Sequence, residues 1–189
     1  MKALLAVLTI LGFSVTTGLT QGLVLTTDPR TGLRTGTYTT GNSSYRLRPG
    51  SDLSNLSISG FDLSDVDLRG ATLIGASLSG ITLNGANLRG ANLEQSSFSR
   101  SQCVGADLSG TNISNTNFTD ANLAGANLSQ AYTTPVAGNG GPPRFSGTQL
   151  QGANLSGIGA EYVSFNEVDL TGALLVGARL PGVGFFSTN

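Results

Sequence analysis

From Leu53 onward the large apolar residues of this chain recur at every fifth position: Leu53, Ile58, Leu63, Leu68, Leu73, Leu78, Leu83, Leu88, Leu93, Phe98, Cys103, Leu108, Ile113, Phe118, Leu123 and Leu128. With 39% of residues hydrophobic, independent draws would give such a run only about once in a million trials. A strand repeats every second residue and a helix about every 3.6, so neither keeps one face apolar at a period of five. The residue two before each centre is mostly small, as in Ala71, Ala76, Ala86, Ala91, Ala106, Ala121 and Ala126. Two residues apart means the same side of an extended segment, so each unit points one large and one small residue inward. The residue two after the centre is often Gly, as in Gly70, Gly75, Gly80, Gly85 and Gly90. Glycine there allows a corner, because it accepts positive φ without a Cβ penalty. Four such corners close a square coil of about twenty residues, and coils stacked about 4.8 Å apart pair their backbones with those above and below.

The units carrying this pattern include ANLRG, ANLEQ, ADLSG, ANLAG, ANLSQ and ANLSG. They resemble the A(D/N)Lxx motif of the pentapeptide repeat family over roughly residues 51–187. The resemblance implies an all-β fold, a right-handed quadrilateral β-helix of about six to seven coils interrupted by one loop, with handedness taken from the family. It implies no active site. Members include fluoroquinolone-resistance proteins that mimic DNA and bind gyrase, and cyanobacterial proteins exported to the periplasm or thylakoid lumen.

Breaks in the rhythm divide the chain. Residues 1–22 read as a signal peptide, since Lys2 precedes the apolar run LLAVLTILGF, which is too short to span a bilayer; the alternative is a capping helix in a cytoplasmic protein. Residues 23–50 lack the five-residue period and are expected to cap the first coil. Coils follow over 51–131, a loop insertion over 132–144, where Asn139-Gly140 and Pro142-Pro143 mark turns, and coils again over 145–189. Phe98 and Phe118 are twenty apart, as are Phe145, Phe165 and Phe185. A seven-residue insertion would therefore align all five in one ladder, with Thr133 a degenerate centre next to Ile113. The loop is a natural place for specificity on a rigid scaffold, and equally a neutral decoration.

Composition argues against catalysis. There is no His, no Trp and a single Lys, and 10 basic residues balance 11 acidic ones, so no bulk attraction to nucleic acid is expected. Asp and Asn interchange just before the centres (Asp62, Asp67, Asp107 against Asn87, Asn92, Asn112), which reads as a polar, water-facing position and not as acid–base machinery. Cys103 occupies an inward centre and reads as a small apolar filler. No catalytic, cofactor-binding or metal-binding residue is expected, and no cofactor.

The candidate partner-binding residues are Asp65, Asp67, Arg69, Arg89, Asn139 and Arg144. Arg69 and Arg89, twenty apart, stack on one face beside Asp67, and such like charges need compensation from Asp67, solvent or a partner's carboxylate. The expected function is a non-catalytic scaffold for protein–protein interaction in an exported compartment, with a carbohydrate or cell-envelope ligand as a less specific variant. The alternative is a DNA mimic binding a type II topoisomerase such as gyrase. Residues 51–187 carry ten acids against five arginines, a modest net charge of minus five for that task. The partner is expected to be an unidentified protein, with no direct nucleic acid contact and no stable transmembrane segment after processing. The C-terminal LPGVGFFSTN leaves Val183, Phe185 and Phe186 near an open edge, which predicts a homodimer through that end.

Overall fold

The computed structural model describes residues 21–134 and 141–188. It is a quadrilateral β-helix entered through a small antiparallel sheet. Strands β1 (Gln21–Thr27), β2 (Arg34–Thr40) and β3 (Ser43–Leu47) form a meander in the order β1-β2-β3. Beyond it, each side of a coil contributes a single bridging residue, and parallel bridges link positions twenty apart, from Asp52–Thr72 to Asn112–Tyr132. Among the described residues of the coils, longer pairing appears only near the end, where β4 (Ser164–Asn166) and β5 (Gly184–Phe186) run parallel.

The five-residue period is one side of the coil. All sixteen centres from Leu53 to Leu128 are at most 2% exposed, and the alanines two before them are equally buried. At each corner the N–H of the residue three after a centre donates to that centre's carbonyl, as from Ala76 to Leu73 at 3.0 Å. The third residue of this turn is left-handed: φ is 66° at Gly75 and 67° at Gly80. That is the position where a type II turn demands positive φ, which explains the glycines.

The first coil departs from the small-residue rule to receive the cap. Its inward positions two before the centres hold Leu56, Phe61 and Val66, where later coils carry mostly Ala. Tyr38 of β2 is 1% exposed and meets Phe61 edge-on at 5.4 Å between ring centroids, while Leu47 of β3 is fully buried. The register is closed by Arg34, whose N–H donates to the Asp65 carbonyl at 2.7 Å and whose carbonyl accepts from Asp67 N–H at 2.7 Å. Apolar side chains of the first coil and its strand edge at Val66 are thus covered by the meander. β1 begins at Gln21, so a boundary after residue 22 would fall inside this strand. The remainder of the expected signal segment lies outside the described residues.

At the insertion the bridge interval becomes twenty-seven, in Asn117–Arg144, Asn122–Gln149, Asn127–Asn154 and Tyr132–Gly159, then returns to twenty at Arg144–Ser164. Phe145 therefore stacks on Phe118, and Phe98, Phe118, Phe145, Phe165 and Phe185 form one ladder with successive centroids 5.4, 5.2, 5.5 and 5.5 Å apart. Thr133 follows Ile113 in its column: Ile113 N–H donates to the Tyr132 carbonyl, and Thr133 N–H to that of Gly159. Pro143 takes the buried small-residue place before Phe145. Positions 135–140 of the loop lie outside the described residues.

Among the described residues the last coil is partly bare. Phe185 is 52% exposed, and Leu174, Val176 and Phe186, at outward positions that hold mainly polar residues in the preceding coils, are 53%, 76% and 61% exposed.

Candidate functional site

Four of the six candidate residues gather beside the N-terminal cap. Asp67 and Arg69 flank the centre Leu68 on one face, and their side chains form a two-pronged ion pair, with Nε donating to Oδ1 at 2.8 Å and Nη2 to Oδ2 at 2.7 Å. The geometry is that of a guanidinium fork on a carboxylate. Asp67 is 6% exposed, so the expectation of a water-facing position fails there. The cause is coverage by β2, whose Arg34 sits next to it in the ladder. Proximity to Asp67 raises the Arg69 pKa, first through the side-chain hydrogen bond and then through charge attraction.

Arg89 lies in the next coil on the same face, since Gly70 N–H donates to the Arg89 carbonyl at 2.9 Å. Its guanidinium enters no ion pair among the described residues, whereas that of Arg69 is committed to Asp67. Asp65 is a left-handed corner (φ 57°) at the edge of this face, with its side chain lying over Gly85 of the next coil. Its backbone carbonyl and that of Ser64 are bound by Arg34, the latter through Nη1 at 3.1 Å. Arg34 was not legible as a member of this cluster, because the cap carries no repeat from which to count a column.

Arg144 does not belong to the group. It follows Asn117 and precedes Ser164 in the column beside the phenylalanine ladder. Two corners separate that side of the coil from the side carrying Arg69. Asn139 lies outside the described residues.

Asp and Asn before the centres have a definite task. Their Oδ1 accepts the N–H two residues on, as at Asp62–Ser64 (2.8 Å), Asn92–Glu94 (3.1 Å), Asn117–Thr119 (3.0 Å) and Asn154–Ser156 (3.0 Å). This is an Asx turn, which either side chain can make. It holds the carboxyls of Asp52 and Asp62 below the ordinary range, chiefly through the Ser54 and Ser64 hydroxyls and then the backbone N–H. Asp169 is lowered likewise through Thr171, with a further bond from Gln151. Cys103 is fully buried, and desolvation pushes its thiol up to about 11, the opposite of what a nucleophile needs. Among the described residues no three His, Cys, Asp or Glu side chains are grouped to hold a metal ion. No helix among them is long and apolar enough to cross a membrane.

A solenoid of square coils, built from five-residue sides with one bridging residue each, defines a class of protein by its geometry alone. The family described as pentapeptide repeats matches here in eight copies, over residues 50–85, 62–100 and 101–132. Residues 50–132 thus carry the repeats that this family describes. Among solved structures the chain is similar to a pentapeptide repeat protein from the Arabidopsis thaliana thylakoid lumen, with 32% identity over 55% of this chain and a TM-score of 0.41. The match spans 63% of the Arabidopsis chain, under two thirds of its length. It is also similar to the plasmid-mediated fluoroquinolone resistance protein QnrB1, at 20% identity over 73% of this chain and 80% of that one, with a TM-score of 0.40. HetL, a pentapeptide repeat protein involved in heterocyst differentiation regulation from the cyanobacterium Nostoc sp. strain PCC 7120, is 24% identical over 72% of this chain and 85% of that one, with a TM-score of 0.21. No curated protein matches the chain.

Proposed function

We propose that this protein is a non-catalytic scaffold that binds another protein through the face carrying Asp67, Arg69 and Arg89, and that it works in an exported compartment, the periplasm or the thylakoid lumen. The observation that carries the reading is the unpaired guanidinium of Arg89 beside the Asp67–Arg69 pair, on a rigid face where Asp67 and Asn87 are held by the turn. A free cation on a surface that need not reorganise suits a partner's carboxylate. Export rests on the charge and apolar pattern of residues 1–22. The partly bare last coil supports self-association through the C-terminal end, which would cover Phe185 and Phe186.

Gyrase binding by DNA mimicry ranks lower on charge placement. Outward acids never repeat in consecutive coils of one column: Asp62 and Asp169 share one side with Thr82, Gln102, Asn122 and Gln149 between them. A polyanion mimic needs a continuous run of negative charge.

The test uses a photo-crosslinking residue at Ser109, the next position of the Arg69–Arg89 column, or, as control, at Ser79 on the opposite side, in cells expressing the full chain. A protein adduct at 109, absent at 79 and lost with Arg89→Glu, supports the docking face. No adduct at 109 overturns it. The mass of the mature protein tests export, which predicts loss of about twenty residues. Sedimentation at rising concentration tests the dimer, and a strict monomer rejects it.

A further inference from the structure

Beside the insertion the solenoid carries a cleft of about 550 Å³ whose walls include Thr134, Pro142, Glu161, Tyr162, Arg179 and Pro181. Three features of this cleft are not needed by the fold. Tyr162 is a corner residue with φ 56°, a left-handed conformation that bulky side chains rarely adopt. Its ring lies across Gly182 of the next coil, where an added Cβ would come within 2.6 Å of Cδ1, and yet the residue is 70% exposed. The ring is thus supported from behind and open in front.

Gly159 occupies an outward position in the column Asn112, Tyr132, Gly159, Arg179. Its φ is not positive, and a Cβ added there would meet no atom within 4 Å. Neither the backbone nor the packing requires glycine, and its missing side chain leaves room between Tyr132 and Arg179. Finally, Glu161 and Arg179 line the same cleft, and neither forms an ion pair among the described residues.

We propose that this cleft binds a neutral oligosaccharide, with a sugar ring laid against Tyr162 and its hydroxyls bound by Glu161 and Arg179. An ionised carboxylate only accepts hydrogen bonds and a guanidinium only donates them, whereas a hydroxyl does both, so one uncharged polyol satisfies the two groups together. A ligand carrying one charge would attract one of them and be repelled by the other. A proline-rich peptide would also pack against an exposed tyrosine, but proline has no N–H to offer Glu161. The C–H face of a sugar ring supplies the apolar contact that the tyrosine ring offers, and the cleft falls in the size range of small-molecule sites. This assignment stands apart from the Arg89 face, so failure of either leaves the other intact.

The probes are cellotetraose, chitotetraose, maltotetraose and a proline-rich decapeptide, each titrated into the full-length protein and followed by calorimetry and by amide NMR shifts. At least one tetrasaccharide is expected to bind and to shift the amides of Glu161, Tyr162 and Arg179. Tyr162→Asn, which keeps a residue type already used at the left-handed corners Asn55 and Asn115, should weaken binding at least about tenfold. Gly159→Leu, which fills the cleft without meeting protein atoms at Cβ, should abolish it while thermal stability is retained. Arg89→Glu should change nothing. The proposal is overturned if no tetrasaccharide shifts these amides at about 10 mM, if binding survives Gly159→Leu, or if the decapeptide alone binds there.

Discussion

Phe145→Ala removes the middle rung of the aromatic ladder at the point where the chain rejoins its column. The side chain is fully buried between Phe118, at 5.2 Å and nearly parallel (10°), and Phe165, at 5.5 Å and 27°. Truncating a buried Phe to Ala costs about 3–5 kcal/mol. With two ring neighbours, each aromatic pair worth about 0.5–1.5 kcal/mol beyond area burial, the upper half of that range is expected. Phe185→Ala is the internal control: it has one ring neighbour at 5.5 Å and is 52% exposed. Half of the burial free energy of a Phe, plus one ring contact, gives about 1.3–3 kcal/mol. Urea denaturation followed by circular dichroism measures both, since a shift in midpoint at constant slope reports stability. A Phe145→Leu variant, which keeps most of the volume, should lie between them. Equal losses at positions 145 and 185 would refute the view that the ladder joins the two sets of coils.

Three further outcomes are expected. Gly75→Ala should destabilise more than Gly80→Ala in thermal melts: both impose about 1–2 kcal/mol of left-handed strain, but only at Gly75 does the new Cβ come within 2.8 Å of Asn55 Oδ1. The lowered pKa values of Asp52, Asp62 and Asp169 mean that the unfolded chain binds more protons in acid. Their stabilisation is present above the ordinary Asp pKa of about 3.9 and is lost as pH falls through the lower folded values, so Tm should hold from neutral pH to about 5 and drop below about 4; Asp62→Asn, which keeps the turn acceptor, should lessen that drop. Cys103, with its thiol pushed up to about 11, should resist iodoacetamide at pH 8 until urea unfolds the chain, and Cys103→Ala should cost on the order of 1 kcal/mol.

The repeat was legible because one rule recurs in each side of the coil, and column arithmetic then predicted the contact of Phe145 with Phe118. The cap was legible only as an interruption. Its order comes from Tyr38 meeting Phe61 edge-on and from Tyr38 and Leu47 joining the core that holds Leu56 and Val66 of the first coil, packing that no periodicity announces. The Asx turns were hidden by their tolerance: Asp and Asn serve equally, so the position resembles an undemanding surface. Arg144 stands at the end of the loop in the sequence, and the bridge pattern is what assigns its column to a different side from that of Arg69 and Arg89. Tyr162 is not legible in the sequence, because a tyrosine at a corner carries no signal without Gly182 behind its ring.

The return of the chain after the insertion has a wider meaning. The bridge interval grows by seven, which is not a multiple of five, yet the phenylalanine column continues at the same spacing and later pairs resume the interval of twenty. Alignment is therefore written in the side chains that must meet and not in the number of residues between them. Such a molecule behaves like a ruled page on which a margin note of any length can be inserted between two lines. New segments can be spliced in at this site, and the lines after it will still fall on their rules as long as an aromatic residue brings the text back to its column.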